Sequence, residues 1–173
     1  MLLDHTGDVA NNPLQLRDLP VPRPGHGEVL VKVHVCAVCR TDLHVIEGEL
    51  PDVKRPLVPG HQVVGTVAQT GAGVIDVREG DRVGIAWLQG TCGACDFCRS
   101  GRENLCLKAR FTGYQVDGGY AEYAVVPAHF AYPIPPSFAD EEAAPLLCAG
   151  IIGYRALRLS GIKPGQQIGR AHV

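Results

Sequence analysis

The strongest early pattern along the chain is an alternation. Between residues 28 and 36, Val29, Val31, Val33 and Val35 fall on one side of a period of two, and Glu28, Lys32 and His34 fall on the other. That is the signature of a half-buried strand. Pro20, Pro22 and Pro24 make the segment before it an extended entry. Residues 60–67, 80–85 and 118–126 repeat the theme, each a short apolar run entered from glycine, so the chain predicts an antiparallel or barrel-like β domain. The pattern changes at Asp140. Acidic residues there precede apolar positions at helical spacing through Leu159, with Arg155 and Arg158 near the end. This order suits a helix dipole, and residues 160–165 carry the glycines and proline that end the helix.

Composition narrows the class. With 173 residues, 46% hydrophobic and 20% charged, the chain has the size and apolar content of one soluble domain. Its 21 glycines and 13 prolines are spread rather than clustered, which fits short strands joined by tight turns. A formal charge of −2 with scattered Arg and Lys gives no basic stripe for nucleic acid and no polybasic face for a membrane, so a small partner is expected. The start has no leader pattern and no run is apolar enough to span a bilayer, so a cytoplasmic location is expected. In that reducing setting seven cysteines, an odd number, read as metal ligands rather than disulfides.

Cys92, Cys95, Cys98 and Cys106 stand at C-x2-C-x2-C-x7-C spacing in a polar, glycine-bearing stretch. Short gaps let successive thiolates turn toward one point and the long gap closes the loop, the pattern of a closed structural zinc site. A second set, Cys39, His61 and Cys148, offers three ligands and leaves a fourth position open. Cys36 and Cys39 could form a redox pair, but the β-rich context lacks the βαβ unit such a pair needs. In residues 39–44 a soft ligand is followed by the Thr41 hydroxyl and the His44 imidazole, which are the parts of a proton path. His61 sits between Gly60, which permits close approach, and Gln62. His34 and His129 have no ligand-spaced companions and read as ordinary.

The segments VCAVCRTDLHVIEG, VPGHQVVGTV, WLQGTCGACDFCRSGRENLC, GYQVDGGYAEYAVV and APLLCAGIIGYRAL together resemble the N-terminal catalytic domain of the zinc-dependent medium-chain alcohol dehydrogenases. The resemblance implies a mainly β, GroES-like, partly open barrel with short helices and a C-terminal helix. Residues 1–145 would form the catalytic domain, and 146–173 the helix and the truncated start of a nucleotide-binding domain. It further implies two zinc ions per chain, a catalytic one on Cys39, His61 and Cys148 and a structural one on Cys92, Cys95, Cys98 and Cys106, with Cys36 left as a packed thiol. Thr41 and His44 would relay the alcohol proton, Asp42 would orient His61, Arg40 would face the pyrophosphate of NAD or NADP, and Trp87 would wall a pocket for a small alcohol or aldehyde. A homo-oligomer is expected.

Two departures qualify the resemblance. Gln62 stands where many family members carry glutamate, so a charge beside the metal becomes a neutral amide. The chain also lacks the glycine fingerprint of the coenzyme domain, and residues 169–173 lack the apolar run of its first strand, so a truncated fragment inactive alone is expected. The competing reading is a non-enzymatic zinc-binding or assembly module. A quinone reductase-like relative without catalytic metal fits poorly, because all three catalytic ligands are present.

Overall fold

The computed structural model describes residues 1–51, 53–167 and 169. Its centre is a five-stranded antiparallel sheet in the order β8-β3-β4-β5-β9, built from β3 (Glu28–Ala37), β4 (Gln62–Thr70), β5 (Arg82–Ile85), β8 (Tyr123–Pro127) and β9 (Ala131–Pro133). Two small ribbons flank it, β1 (Leu2–Leu3) with β2 (Leu14–Gln15), and β6 (Leu88–Gly90) with β7 (Arg110–Phe111). The helices are α1 (Arg40–Glu47), α2 (Asp96–Arg99), α3 (Asp140–Pro145) and α4 (Ile151–Ser160). The sheet curls without closing, since β8 and β9 are its two edges. That is the expected mainly β, partly open barrel.

Curling follows from the register. The β3–β4 ladder shifts between Leu30 and Val31 and again between Val33 and Val35. Such bulges bend a strand and raise its twist. They also break the simple alternation, so that Val29, Leu30 and Val31 are all buried. The inner face packs Val29, Val31, Val63, Val67, Val83, Ile85, Val126 and Phe130. The outer face is covered by α3, whose Ala143 and Ala144 pack on Val64. A third cluster sets Val45 and Ile46 of α1 against Leu3, Leu57 and Tyr114. Leu3 and Leu57 are fully buried and exchange backbone hydrogen bonds of 2.8 and 3.0 Å. Truncating Leu57 to Ala would cost about 2–5 kcal/mol.

Three expectations change. The strand anticipated over 118–126 begins only at Tyr123. Gly118 instead lies flat on the His61 loop, and a Cβ there would fall 1.9 Å from the Gly60 oxygen. The helix from Asp140 is not uniform, because residues 146–150 form a π-helical turn between α3 and α4. Cys148 therefore sits inside a widened turn rather than in a regular helix. The apolar residues of α4 also do not face a core: Ile151, Ile152, Tyr154, Leu157 and Leu159 are exposed among the described residues. Of residues 166–173, where the first strand of a nucleotide-binding region would begin and whose end lacks the apolar run expected of it, 168 and 170–173 lie outside the described residues.

His34, read as an ordinary strand residue, joins a polar clamp. Its Nδ1 is 2.8 Å from Asp140 Oδ2 and its Nε2 is 3.1 Å from the Thr66 hydroxyl. Arg82 donates to the other Asp140 oxygen at 2.6 Å and to the carbonyls of Pro135 and Phe138. The clamp fixes the start of α3 to the sheet.

Candidate functional site

The three-residue set is assembled from the start of α1 outward. Cys39 is the N-cap of α1, in extended backbone, with its sulfur accepting the Thr41 N–H at 3.3 Å. The free N–H groups of the helix start therefore point at this sulfur. The Cys39 N–H in turn donates to Asp42 Oδ2 at 2.9 Å, completing a capping box in which sulfur stands where a hydroxyl is usual. Gly48, at φ 80°, ends the helix.

Asp42 is fully buried, and its other oxygen, Oδ1, lies 3.0 Å from Nδ1 of the equally buried His61. The carboxylate can only accept, so Nδ1 carries the proton and Nε2 is left as a lone pair. That lone pair faces Cys39 Sγ at 3.3 Å. The ring reaches this position through Gly60, at φ 94°, where a Cβ would lie 2.5 Å from the Tyr120 ring and 2.8 Å from Cys36 Sγ. Only glycine fits that corner.

Cys148 comes from the π-helical turn, an irregularity that recurs at functional sites. Its sulfur is 4.0 Å from that of Cys39. Burial first, and then the neighbouring Cys39 sulfur, push the Cys148 thiol up to about 11. A pair of sulfurs so close resists sharing negative charge until a cation compensates it. The three ligand atoms all lie within 4.8 Å of one another. For zinc–sulfur bonds of about 2.3 Å a tetrahedron has edges of about 3.8 Å, so the set fits a tetrahedral cation.

Around it, Trp87 presents its ring edge-on to His61 with centroids 4.9 Å apart, and stacks on Phe111 and Tyr114 at 5.1 and 5.7 Å. The Tyr114 hydroxyl donates to the Pro51 carbonyl. Thr41 and His44 both lie on α1, but the His44 ring is hydrogen-bonded to Glu49, a partner that the spacing does not announce. Arg40, in the first turn of α1, is exposed. Gln62 is buried, with Nε2 donating to the Pro145 carbonyl at 3.3 Å and Oε1 without a partner. Tyr120 was also missed: burial and the Asp42 charge raise its hydroxyl far above the usual tyrosine range. The paired glycines before it, which bring the chain onto Gly60, are the signal that could have found it.

The four-cysteine set lies between β6 and β7. Cys95 caps α2, Cys106 ends a short turn over Glu103–Leu105, and Gly93 and Gly101 take positive φ to bend the loop. Sulfur separations are 3.5 Å for Cys95 and Cys98, 3.6 Å for Cys92 and Cys106, and 3.9 Å for Cys92 and Cys98. All four sulfurs lie within 4.8 Å of one another. The N–H groups of Ala94 and then Cys95, with the Cys106 thiol, lower Cys92 to about 6. All seven cysteines are free thiols, and Cys36 is pushed up to about 12, chiefly by burial. Both expected sets are thus brought together, with Cys36 outside them.

A family model for the alcohol dehydrogenase GroES-like domain matches residues 25–136. The "probable alcohol dehydrogenase AdhA" of Mycobacterium tuberculosis is 52% identical over 168 residues, 94% of this chain and 49% of that protein. An alcohol dehydrogenase of Geobacillus stearothermophilus is 48% identical over 157 residues, 90% of this chain and 47% of that one. Among solved structures, a thermostable alcohol dehydrogenase from Pyrobaculum aerophilum with cobalt and zinc bound superposes with a TM-score of 0.86 at 33% identity, covering 96% of this chain and 48% of that one. The chain spans about half the length of the relatives it matches. With the motifs, the curled sheet and the two ligand sets in agreement, the chain belongs to the alcohol dehydrogenase GroES-like domain family.

Proposed function

We propose that this chain is the substrate-activating and metal-holding part of a zinc-dependent alcohol dehydrogenase that converts a small alcohol to an aldehyde or ketone with NAD or NADP as acceptor. Residues 1–145 are assigned to the catalytic domain and 146–173 to the helix leading toward a nucleotide-binding region. The observation that carries the reading is the convergence of Cys39, His61 and Cys148 from three separate elements, with Asp42 fixing the His61 ring. Cys92, Cys95, Cys98 and Cys106 hold a second, structural ion, for about two zinc ions per chain.

A zinc ion held by Cys39, His61 and Cys148 would supply a Lewis acid for the substrate oxygen. The chain's own groups do the rest. Thr41 accepts the alcohol proton and His44 carries it on toward solvent. Trp87 limits the depth of the pocket, favouring small substrates, and Arg40 offers a guanidinium to the coenzyme pyrophosphate. On this reading the chain assembles with copies of itself. No helix among the described residues is long and apolar enough to cross a membrane.

The test is cobalt substitution at the three-ligand set, with zinc retained at the four-cysteine loop. Addition of imidazole, or of a small aldehyde, should shift the visible cobalt bands by occupying the fourth position. Cobalt that binds only at the four-cysteine loop, or bands indifferent to added ligand, would leave a zinc-binding assembly module as the better reading.

A further inference from the structure

His44 carries a partner that the proton path does not by itself require. Gly48 ends α1 at φ 80° and ψ 22°, a left-handed conformation that favours glycine, and the chain folds back so that the Glu49 N–H donates to the His44 carbonyl at 2.9 Å. The same turn brings the Glu49 carboxylate onto the His44 ring, where it accepts from Nδ1. Backbone and side chain of Glu49 thus hold one residue.

A carboxylate can only accept, so the ring proton lies on Nδ1 and Nε2 keeps its lone pair. The His44 side chain is 34% exposed and that of Glu49 49%, which puts the pair at the surface end of α1's last turn, in reach of water. Thr41 lies three residues earlier, on the same side of the helix, and its N–H is bonded to the Cys39 sulfur. An ion pair as exposed as this adds little stability. What it fixes is orientation. A ring free to move its proton between the two nitrogens would at times offer Thr41 a donor where the path needs an acceptor.

We propose that Glu49 is a positioning residue for proton transfer: it holds His44 in the Nδ1–H tautomer, so that Nε2 is the nitrogen that receives the proton passed on by Thr41. The proposal rests on the reading of Thr41 and His44 as that path. Nε2 gains one proton, and the ring becomes an imidazolium whose charge lies beside the carboxylate. Nε2 then gives one proton to water, which restores the Nδ1–H form.

The test reads the tautomer directly, from long-range 1H–15N correlation spectra of the 15N-labelled chain taken about two pH units above the ordinary histidine value of about 6.5, where a histidine ring is neutral. Protonated and bare ring nitrogens resonate far apart, and the His44 signals are identified among the seven histidines by their absence from His44→Gln. The native chain should show His44 with Nδ1 protonated and Nε2 bare. Glu49→Leu, which keeps bulk but removes the acceptor, should lose that form, with Nε2–H becoming the majority and the amide protection of α1 unchanged. Native His44 protonated on Nε2, or a Glu49→Leu chain that keeps the native tautomer, would overturn the proposal. Should Glu49→Leu lose α1 protection, the comparison passes to Glu49→Ala, and the native spectrum still decides its own arm. Native alcohol turnover by His44→Gln in the complete dehydrogenase would instead defeat the proton-path reading, while leaving the tautomer result in place.

Discussion

Asp42 and His61 are in contact at 3.0 Å in the interior, and the same carboxylate caps the helix that presents Cys39. One side chain thereby fixes two of the three candidate ligands, the tautomer of His61 through Oδ1 and the backbone of Cys39 through Oδ2. Asp42→Ala removes a capping interaction and leaves a buried imidazole N–H unmet, so it should cost about 2–4 kcal/mol in chemical denaturation. Asp42→Asn keeps the shape but presents an amide donor to a donor. It should weaken metal at the three-ligand set about 10–100-fold and leave the four-cysteine loop filled, as read by metal titration.

Gly60 delivers the ring that Asp42 orients. At φ 94°, with Tyr120 and Cys36 against the missing Cβ, it admits no side chain. Gly60→Ala should lose about 1–3 kcal/mol to backbone strain, and more from the clash, with a selective loss of metal at the three-ligand set. An alanine variant with native stability and native metal content would show that the corner is tolerant.

The clamp of His34, Arg82 and Asp140 predicts a pH dependence. Partial burial works against the Asp140 carboxylate, but hydrogen bonds from His34 and Arg82 outweigh it and hold its pKa below the usual range. A carboxylate depressed on folding adds stability above the unfolded value of about 3.9, and that stability is lost as pH falls through the lower folded value. Asp140→Asn should therefore be less stable near neutrality and show a flatter stability profile on the acid side. Parallel native and variant profiles would contradict this.

Alkylation of the thiols gives a further check. In metal-stripped protein near neutrality, Cys92, held at about 6 by backbone N–H groups, should react first, and Cys36, pushed up to about 12 and packed against Gly60 and Gly119, should stay silent. Zinc should protect Cys92 without changing Cys36. Peptide mass spectrometry after a timed iodoacetamide pulse reads both.

What the sequence disclosed depended on how local the cause was. The valine alternation from Val29 to Val35 and the cysteine spacing from Cys92 to Cys106 are short-range patterns, and β3 and the four-sulfur cluster followed them. The three-residue set was legible as residue types, and its assembly matched. The π-helical turn around Cys148 was not, because apolar spacing in residues 140–159 is satisfied equally by an unbroken helix. The start of β8 was misplaced because glycines at 118 and 119 serve close backbone approach to Gly60 rather than pairing. The His44–Glu49 pair is local but depends on how the chain turns at Gly48, and the stacking of Phe111 and Tyr114 on Trp87 arises from tertiary neighbours that no single-segment pattern encodes.

The central claim is that two different metal sites share this chain, one closed by four sulfurs and one with a position left for substrate oxygen. Metal content by plasma mass spectrometry of the native chain, Cys148→Ser and Cys106→Ser tests it most directly. The account predicts about two zinc ions per native chain and about one in each variant, from different sites. A native chain with about one zinc or none, or a Cys148→Ser variant that keeps the full native content, would contradict it.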